Sequence, residues 1–161
     1  MSQVIQTLEP IYDGNSKILI LGTFPSVKSR EAQFYYQNPR NRFWKVISEI
    51  VQCKEYDTTE QKKSMLTNNK MAVWDVIESC EIKGSSDSSI KNVIPADLTI
   101  ILDNANIEKI YANGDKAFKL YMKYTYPVTK REIIKLPSTS PANAAFSLER
   151  LIKHWEILKD Y

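Results

Sequence analysis

Glycine, cysteine and histidine are all scarce in this 161-residue chain: four, two and one. Gly14, Gly22, Gly84 and Gly114 are spaced too widely for a GxGxxG or a GxxxxGK[ST] loop, so both glycine-rich phosphate fingerprints are excluded. A lone His154 rules out an HExxH pair and histidine-rich metal sites, and it is the one imidazole that a catalytic triad could use. Cys53 and Cys80 cannot by themselves complete a four-cysteine zinc or iron–sulfur site. No apolar run approaches the roughly 18 residues of a spanning helix. The polar stretch 1–7 lacks the apolar core of a signal peptide. These absences imply a cytoplasmic protein with reduced thiols, no metal and no membrane partner. A monomer that needs no cofactor is the accompanying expectation. Its chemistry must come from neutral polar groups, carboxylates or lysines.

What is present suits one ordinary domain over residues 1–161. Hydrophobic residues make up 43% and charged ones 25%, enough for a normal core and too apolar for disorder. A net charge of +3 with a pI near 8.7 permits a nucleic-acid partner without requiring one. Short apolar runs alternate with amphipathic stretches. Strands are expected over 17–22 (KILILG), 71–76 (MAVWDV), 108–112 (EKIYA) and 132–136 (EIIKL). Helices are expected over 42–51, 58–69 with Thr58 or Thr59 as cap, 97–104 and 114–124. A final helix carries Leu148, Leu151, Ile152, Trp155 and Leu158 on one stripe, with Ser147 as its N-cap. Residues 84–89 (GSSDSS) read as a loop. Strand followed by helix, repeated, implies an α/β fold with a four-stranded, mainly parallel sheet.

Such sheets bind ligands beyond the carboxyl ends of their strands. That rule points to residues 23–41, 75–87, 113–115 and 137–146. The first segment, within GTFPSVKSREAQFYYQNPRNRFW (22–44), is a loop of about twenty residues, a length usually reserved for function. It interleaves Phe24, Phe34, Tyr35 and Tyr36 with Lys28, Arg30, Arg40 and Arg42. Rings beside cations suit a base stacked next to a phosphate backbone, or else the rings simply fold the loop onto the core. The last segment, within LPSTSPANAAF (136–146), offers hydroxyls and backbone N–H groups that either grip phosphate oxygens or merely cap. Asn41 by itself reads as a helix N-cap. Asp75 either accepts a hydrogen bond from a ligand or caps. His154 reads as a surface or packing residue, and the two cysteines as structural thiols.

GTFPSV, YYQNPRNRFW and LPSTSPA, in that order, resemble the uracil-DNA glycosylase superfamily, and its hypoxanthine-DNA (deoxyinosine) glycosylase branch in particular. The stretch VWDVIESCEIKGSSDSSI is similar to that branch as well, and together the matching segments cover residues 17–158. The resemblance implies a three-layer αβα sandwich and a monofunctional glycosylase whose partner is DNA containing a deaminated base: hypoxanthine, with uracil a further candidate. Two departures accompany it. Phe24 stands where most of the superfamily has a water-activating Asp or Asn, and Leu136 stands where the classical uracil enzymes often have histidine. The iron–sulfur branches are excluded by the cysteine count.

The resemblance gives catalysis to Asn41, whose amide oxygen would orient one water. An oxocarbenium-like transition state puts cation character on the sugar before water attacks, so no strong base is needed. Gly22, Thr23, Phe24, Pro25, Tyr36, Trp74 and Asp75 would form the base pocket. Backbone N–H groups of 22–24 would meet the base edge, and Phe24 and Tyr36 would wall it. Ser138, Thr139, Ser140, Pro141, Ala142, Asn143, Lys28 and Arg40 would contact DNA, with the first three on phosphates and the next three filling the gap left by the extruded base. No lysine except Lys28 lies near these motifs, which argues against Schiff-base chemistry. A damaged-base binding module without catalysis and a nucleoside hydrolase on the same fold are the alternative readings.

Overall fold

The computed structural model describes residues 3–160. Met1, Ser2 and Tyr161, the ends of the expected 1–161 domain, lie outside them. The strands are β1 Gln3–Ile5, β2 Ile18–Gly22, β3 Met71–Asp75, β4 Ile77–Glu81, β5 Lys91–Pro95, β6 Lys109–Asn113 and β7 Ile134–Leu136. The helices are α1 Val27–Ala32, α2 Phe43–Ile50, α3 Thr59–Asn68, α4 Thr99–Leu102, α5 Asp115–Leu120, α6 Tyr126–Thr129 and α7 Leu148–Trp155.

β2 (ILILG) and β3 (MAVWD) are buried at every residue, the signature of strands covered on both faces. They lie in a four-stranded sheet of order β3-β2-β6-β7, parallel throughout, with helices packed against it in a three-layer sandwich. All four strands expected from the sequence are present. Ile18 pairs with Met71 and Lys109, so the three central strands run in step and their carboxyl ends finish together at Gly22, Asp75 and Asn113.

Local signals set the helix ends. Thr58 and Gln61 form a capping box ahead of α3, and the Ser147 side chain accepts from the Arg150 N–H at the start of α7. The inward stripe of α7 packs on α2, where Phe43 meets Trp155 edge-on with ring centroids 6.0 Å apart. The Trp155 indole N–H donates to the Pro137 carbonyl at 2.9 Å, tying this helix to the loop after β7.

Three expectations are corrected. A second sheet, antiparallel and of order β1-β4-β5, occupies residues expected to be loop or left unassigned. Its strands are short, and β4 (IESCE) and β5 (KNVIP) do not alternate cleanly, so no period-two signal marks them. The segment after β2 contains α1, capped by Ser26. The helix expected over 114–124 is α5 followed by a π-helical turn over Tyr121–Thr125 and then α6. Pro127, which has no N–H for an i→i−4 bond, explains that break.

Among the described residues no helix is long and apolar enough to cross a membrane, and no group of three or more His, Cys, Asp or Glu side chains could hold a metal. Trp155 is fully buried. Trp155→Ala is expected to lower the unfolding free energy by about 3–5 kcal/mol, read from denaturant melts. A loss under about 1 kcal/mol would show that α7 does not close the core.

Candidate functional site

The carboxyl ends of the central strands open into a cavity of about 490 Å³. Gly22, Thr23, Phe24 and Pro25 line it after β2, Asp75 at the end of β3, and Asn113 at the end of β6. Residues 138–142 after β7 form one wall, and Tyr36 and Asn41 line it ahead of α2. The loops expected to carry chemistry therefore do converge on one place.

Aromatic packing fixes the long first loop. Phe34 stacks on Trp44 at 5.4 Å with the planes 6° apart, and both rings are buried. The Tyr35 hydroxyl donates to the Glu9 carbonyl at 2.8 Å. Phe34 thus folds onto the core, and Tyr35 packs there too while also lining the cavity. Tyr36 differs. Its ring stacks on Phe43 at 3.9 Å, its backbone is left-handed (φ 55°), and its buried hydroxyl has no hydrogen-bond partner among the described residues. The Arg30 guanidinium lies over the Phe24 ring at 5.6 Å.

Asn41 is held from two sides. Its Oδ1 accepts from the Phe43 N–H and from the Thr139 hydroxyl, each at 2.9 Å. An amide oxygen has two lone pairs, and both are engaged. This corrects the expectation that the oxygen is free for a water. The group left over is Nδ2, which makes no hydrogen bond to another described residue. Thr139 is fully buried and doubly bonded to Asn113: the threonine N–H donates to Asn113 Oδ1, and Asn113 Nδ2 donates to the threonine hydroxyl, each at 3.0 Å. The result is a fixed chain, Asn113 to Thr139 to Asn41.

Two glycines are required here. Gly114 has φ 98°, and a Cβ there would stand 3.0 Å from Ser138 Cβ, so it lets the last loop close over β6. A Cβ on Gly22 would stand 2.5 Å from Asp75 Oδ1 and 3.0 Å from the Tyr36 hydroxyl. That bare Cα keeps the polar floor of the cavity open.

Asp75 is buried, and Gln6 Nε2 donates to its Oδ2 at 2.7 Å. Burial pushes its carboxyl up to about 7, the Gln6 hydrogen bond opposes the rise, and nearby Asp87 adds to it. Burial, with Asp75 next, likewise holds the Tyr35 and Tyr36 hydroxyls well above the usual phenol range, while the nearby Asn113 side chain opposes the rise at Tyr36 without forming a hydrogen bond of good geometry.

Other expected site residues lie outside the cavity lining. Trp74 does not line the cavity: successive strand side chains point to opposite faces, so the residue beside Asp75 turns away, and its indole donates to the Leu8 carbonyl at 3.4 Å. Asn143 lies outside the cavity lining, its Nδ2 donating to the Ser138 carbonyl at 3.0 Å. Lys28 and Arg40 are exposed and outside the lining. Arg42, grouped with the phosphate-facing cations, turns inward instead. Its guanidinium donates to the carbonyls of Thr139, Ser140, Asn143 and Phe146, holding the loop after β7 in shape. His154 is exposed, in edge contact with Phe146 at 5.4 Å.

Sequence reasoning missed Gln6, Asn113 and the serine-rich wall of Ser85, Ser86, Asp87 and Ser88, all of which line or support the cavity. The strand-end rule did point to the segments holding Asn113 and Asp87. Nothing local marks Gln6, whose partner lies 69 positions away.

The family model of the Uracil DNA glycosylase superfamily matches residues 9–160. A Methanosarcina acetivorans protein named hypoxanthine DNA glycosylase is 33% identical over 150 residues, covering 91% of this chain and 92% of its own. A Methanosarcina barkeri protein of the same name is 31% identical over 114 residues, covering 70% and 72%. A solution NMR structure of a candidate uracil DNA glycosylase from Methanosarcina acetivorans superposes with a TM-score of 0.82 at 30% identity, covering 96% of each chain.

A carboxyl raised by burial makes the native state bind its proton more tightly than the unfolded chain does. Stability from Asp75 is therefore full below its ordinary value of 3.8 and falls as pH rises toward about 7. Asp75→Asn is expected to be more stable than the parent by about 2–4 kcal/mol near pH 8 and indistinguishable from it near pH 4. Equal stabilities at both pH values in thermal melts would contradict the burial of an ionisable carboxyl.

Proposed function

The chain belongs to the uracil DNA glycosylase superfamily, and on that footing we propose that it excises a deaminated base from DNA, hypoxanthine foremost and uracil as a second substrate, by hydrolysing the N-glycosidic bond. The observation that carries this reading is the meeting of Asn41, Asp75, Tyr36 and residues 138–142 around one cavity. Its volume of about 490 Å³ suits a single extruded nucleoside. One chain supplies the whole lining, so the reading needs only a monomer.

The bond breaks by departure of the base, with positive charge building on the sugar. Water that arrives afterwards needs placement more than deprotonation. Asn41 supplies the placement. With Oδ1 anchored by Phe43 and Thr139, an Nδ2 hydrogen binds one lone pair of the water and leaves the other free to attack C1′. The proton lost by water passes to solvent or to the departing base. Phosphates flanking the sugar stabilise its cation. Asp75 faces the base edge from the floor, and backbone N–H groups of 22–24 are the candidates for acceptor atoms of the leaving base. Phe24, in place of the carboxylate or amide common at that position, walls the pocket. Ser138, Thr139 and Ser140 take their places beside the backbone, where Thr139 acts through Asn41 and its N–H and hydroxyl are not free for phosphate. Pro141 and Ala142 stand at the rim to fill the gap in the stack. Lys28 and Arg40 serve as exposed cations near the duplex. Lys28 lies outside the cavity lining, which favours simple hydrolysis over a lyase step.

A duplex carrying one deoxyinosine or one deoxyuridine tests this reading. Free base and an alkali-labile abasic site are expected, without added metal or cofactor. Tight lesion binding with the bond intact would point to a binding module. Hydrolysis of free deoxyinosine but not of DNA would point to a nucleoside hydrolase. Asn41→Ala is expected to cut the single-turnover rate by about 100-fold or more, the scale of losing one positioned group. An unchanged rate would remove Asn41 from catalysis.

A further inference from the structure

Gln6 follows β1 and is fixed at both ends of its side chain. Its Oε1 accepts from the Leu8 N–H at 2.8 Å, and its Nε2 donates to Asp75 Oδ2 at 2.7 Å. The first bond sets the orientation of the amide, so an N–H always faces the carboxyl. Oδ2 is therefore an acceptor whatever the protonation state of Asp75, and any proton the group takes up sits on Oδ1. Oδ1 and the unpartnered Tyr36 hydroxyl both face the bare Cα of Gly22 in the cavity floor.

We propose that Gln6 is a positioning residue that keeps Asp75 an acceptor, so that Asp75 Oδ1 and the Tyr36 hydroxyl together read the adjacent N–H and C=O groups of a deaminated base. This rests on the glycosylase reading and gives it a selection rule. Deamination changes a base edge from a ring-nitrogen acceptor beside an amino donor into an N–H donor beside a carbonyl acceptor. A carboxylate Oδ1 accepts from that N–H, and the phenol donates to that carbonyl. Adenine and cytosine would set a lone pair against the carboxylate, a mismatch that a buried polar site rejects strongly. A protonated Oδ1 reverses the preference, because it donates. Selectivity and rate on deoxyinosine thus depend on keeping the proton off Asp75.

The titratable groups facing Asp75 are Tyr35 and Tyr36 from the segment ahead of α2 and Asp87 from the turn at Asp87–Ser89. Both phenols stay neutral through the working range, since burial raises them. Asp87 favours proton uptake by Asp75, and Gln6 opposes it.

The test is the pH profile of kcat/KM for deoxyinosine excision in the full chain and in Gln6→Leu, which removes the donor at similar volume. The acid limb is expected to move upward by about one pH unit, so that the variant is about tenfold slower on the acid side and within about twofold of the parent on the alkaline plateau. Tyr36→Phe is expected to lower the rate at every pH without moving the limb. A uniform loss across the profile in Gln6→Leu would make Gln6 merely structural and overturn the proposal. Should that variant fail to fold, carboxyl ¹³C titration of Asp75 in the parent protein decides: coincidence with the acid limb supports the proposal, and a mismatch overturns it. A parent protein that releases no base at any pH would instead defeat the glycosylase reading itself.

Discussion

Thr139 is the knot that makes a site out of separate strand ends. Its N–H and hydroxyl bind Asn113 at the end of β6, its hydroxyl also binds Asn41 ahead of α2, and its carbonyl accepts from the Arg42 backbone N–H at 3.1 Å. Every polar atom of a fully buried residue is thereby satisfied. Leaving any of these unmet would cost about 1–3 kcal/mol, so the loop after β7 and the turn before α2 hold one geometry. Arg42 reinforces this from behind, its guanidinium directed at loop carbonyls. The amide of Asn41 is thus held in one orientation at the cavity wall.

That preorganisation suits a reaction that asks little of its catalyst in proton transfer and much in placement. A rigid amide, and a carboxyl oxygen and a phenol that bond to no other described residue, are costly to build and stable only because the surrounding core over-determines them. The stability given up at Asp75 is the clearest instance. A buried acid raised to about 7 weakens the fold at neutral pH, which is hard to explain in a purely structural residue. Gly22 belongs to the same device, since any side chain there would meet Asp75 and Tyr36.

Much of this was legible in the sequence, for identifiable reasons. KILILG and MAVWDV announce strands buried on both faces, and the strand-end rule then locates the loops that matter. The antiparallel sheet was not legible, because Glu78, Ser79 and Glu81 interrupt the apolar pattern of β4 and β1 spans only three residues. Trp74 was misplaced because its neighbour Asp75 was not: adjacent strand residues cannot share a face. Asn41 was expected at the cavity and lines it, but which end of its amide faces inward depends on donors from Phe43 and from Thr139, the latter 98 positions away. Long-range hydrogen bonds of that kind leave no trace in local spacing.

The most direct test of the central claim is a crystal structure with a duplex whose deoxyinosine carries a 2′-fluorine, which slows cleavage by destabilising the sugar cation. Hypoxanthine is expected extruded into the cavity over Gly22, with one water held between Asn41 Nδ2 and C1′. A base bound elsewhere, or a cavity closed to it with Asn41 contacting neither water nor sugar, would contradict the account.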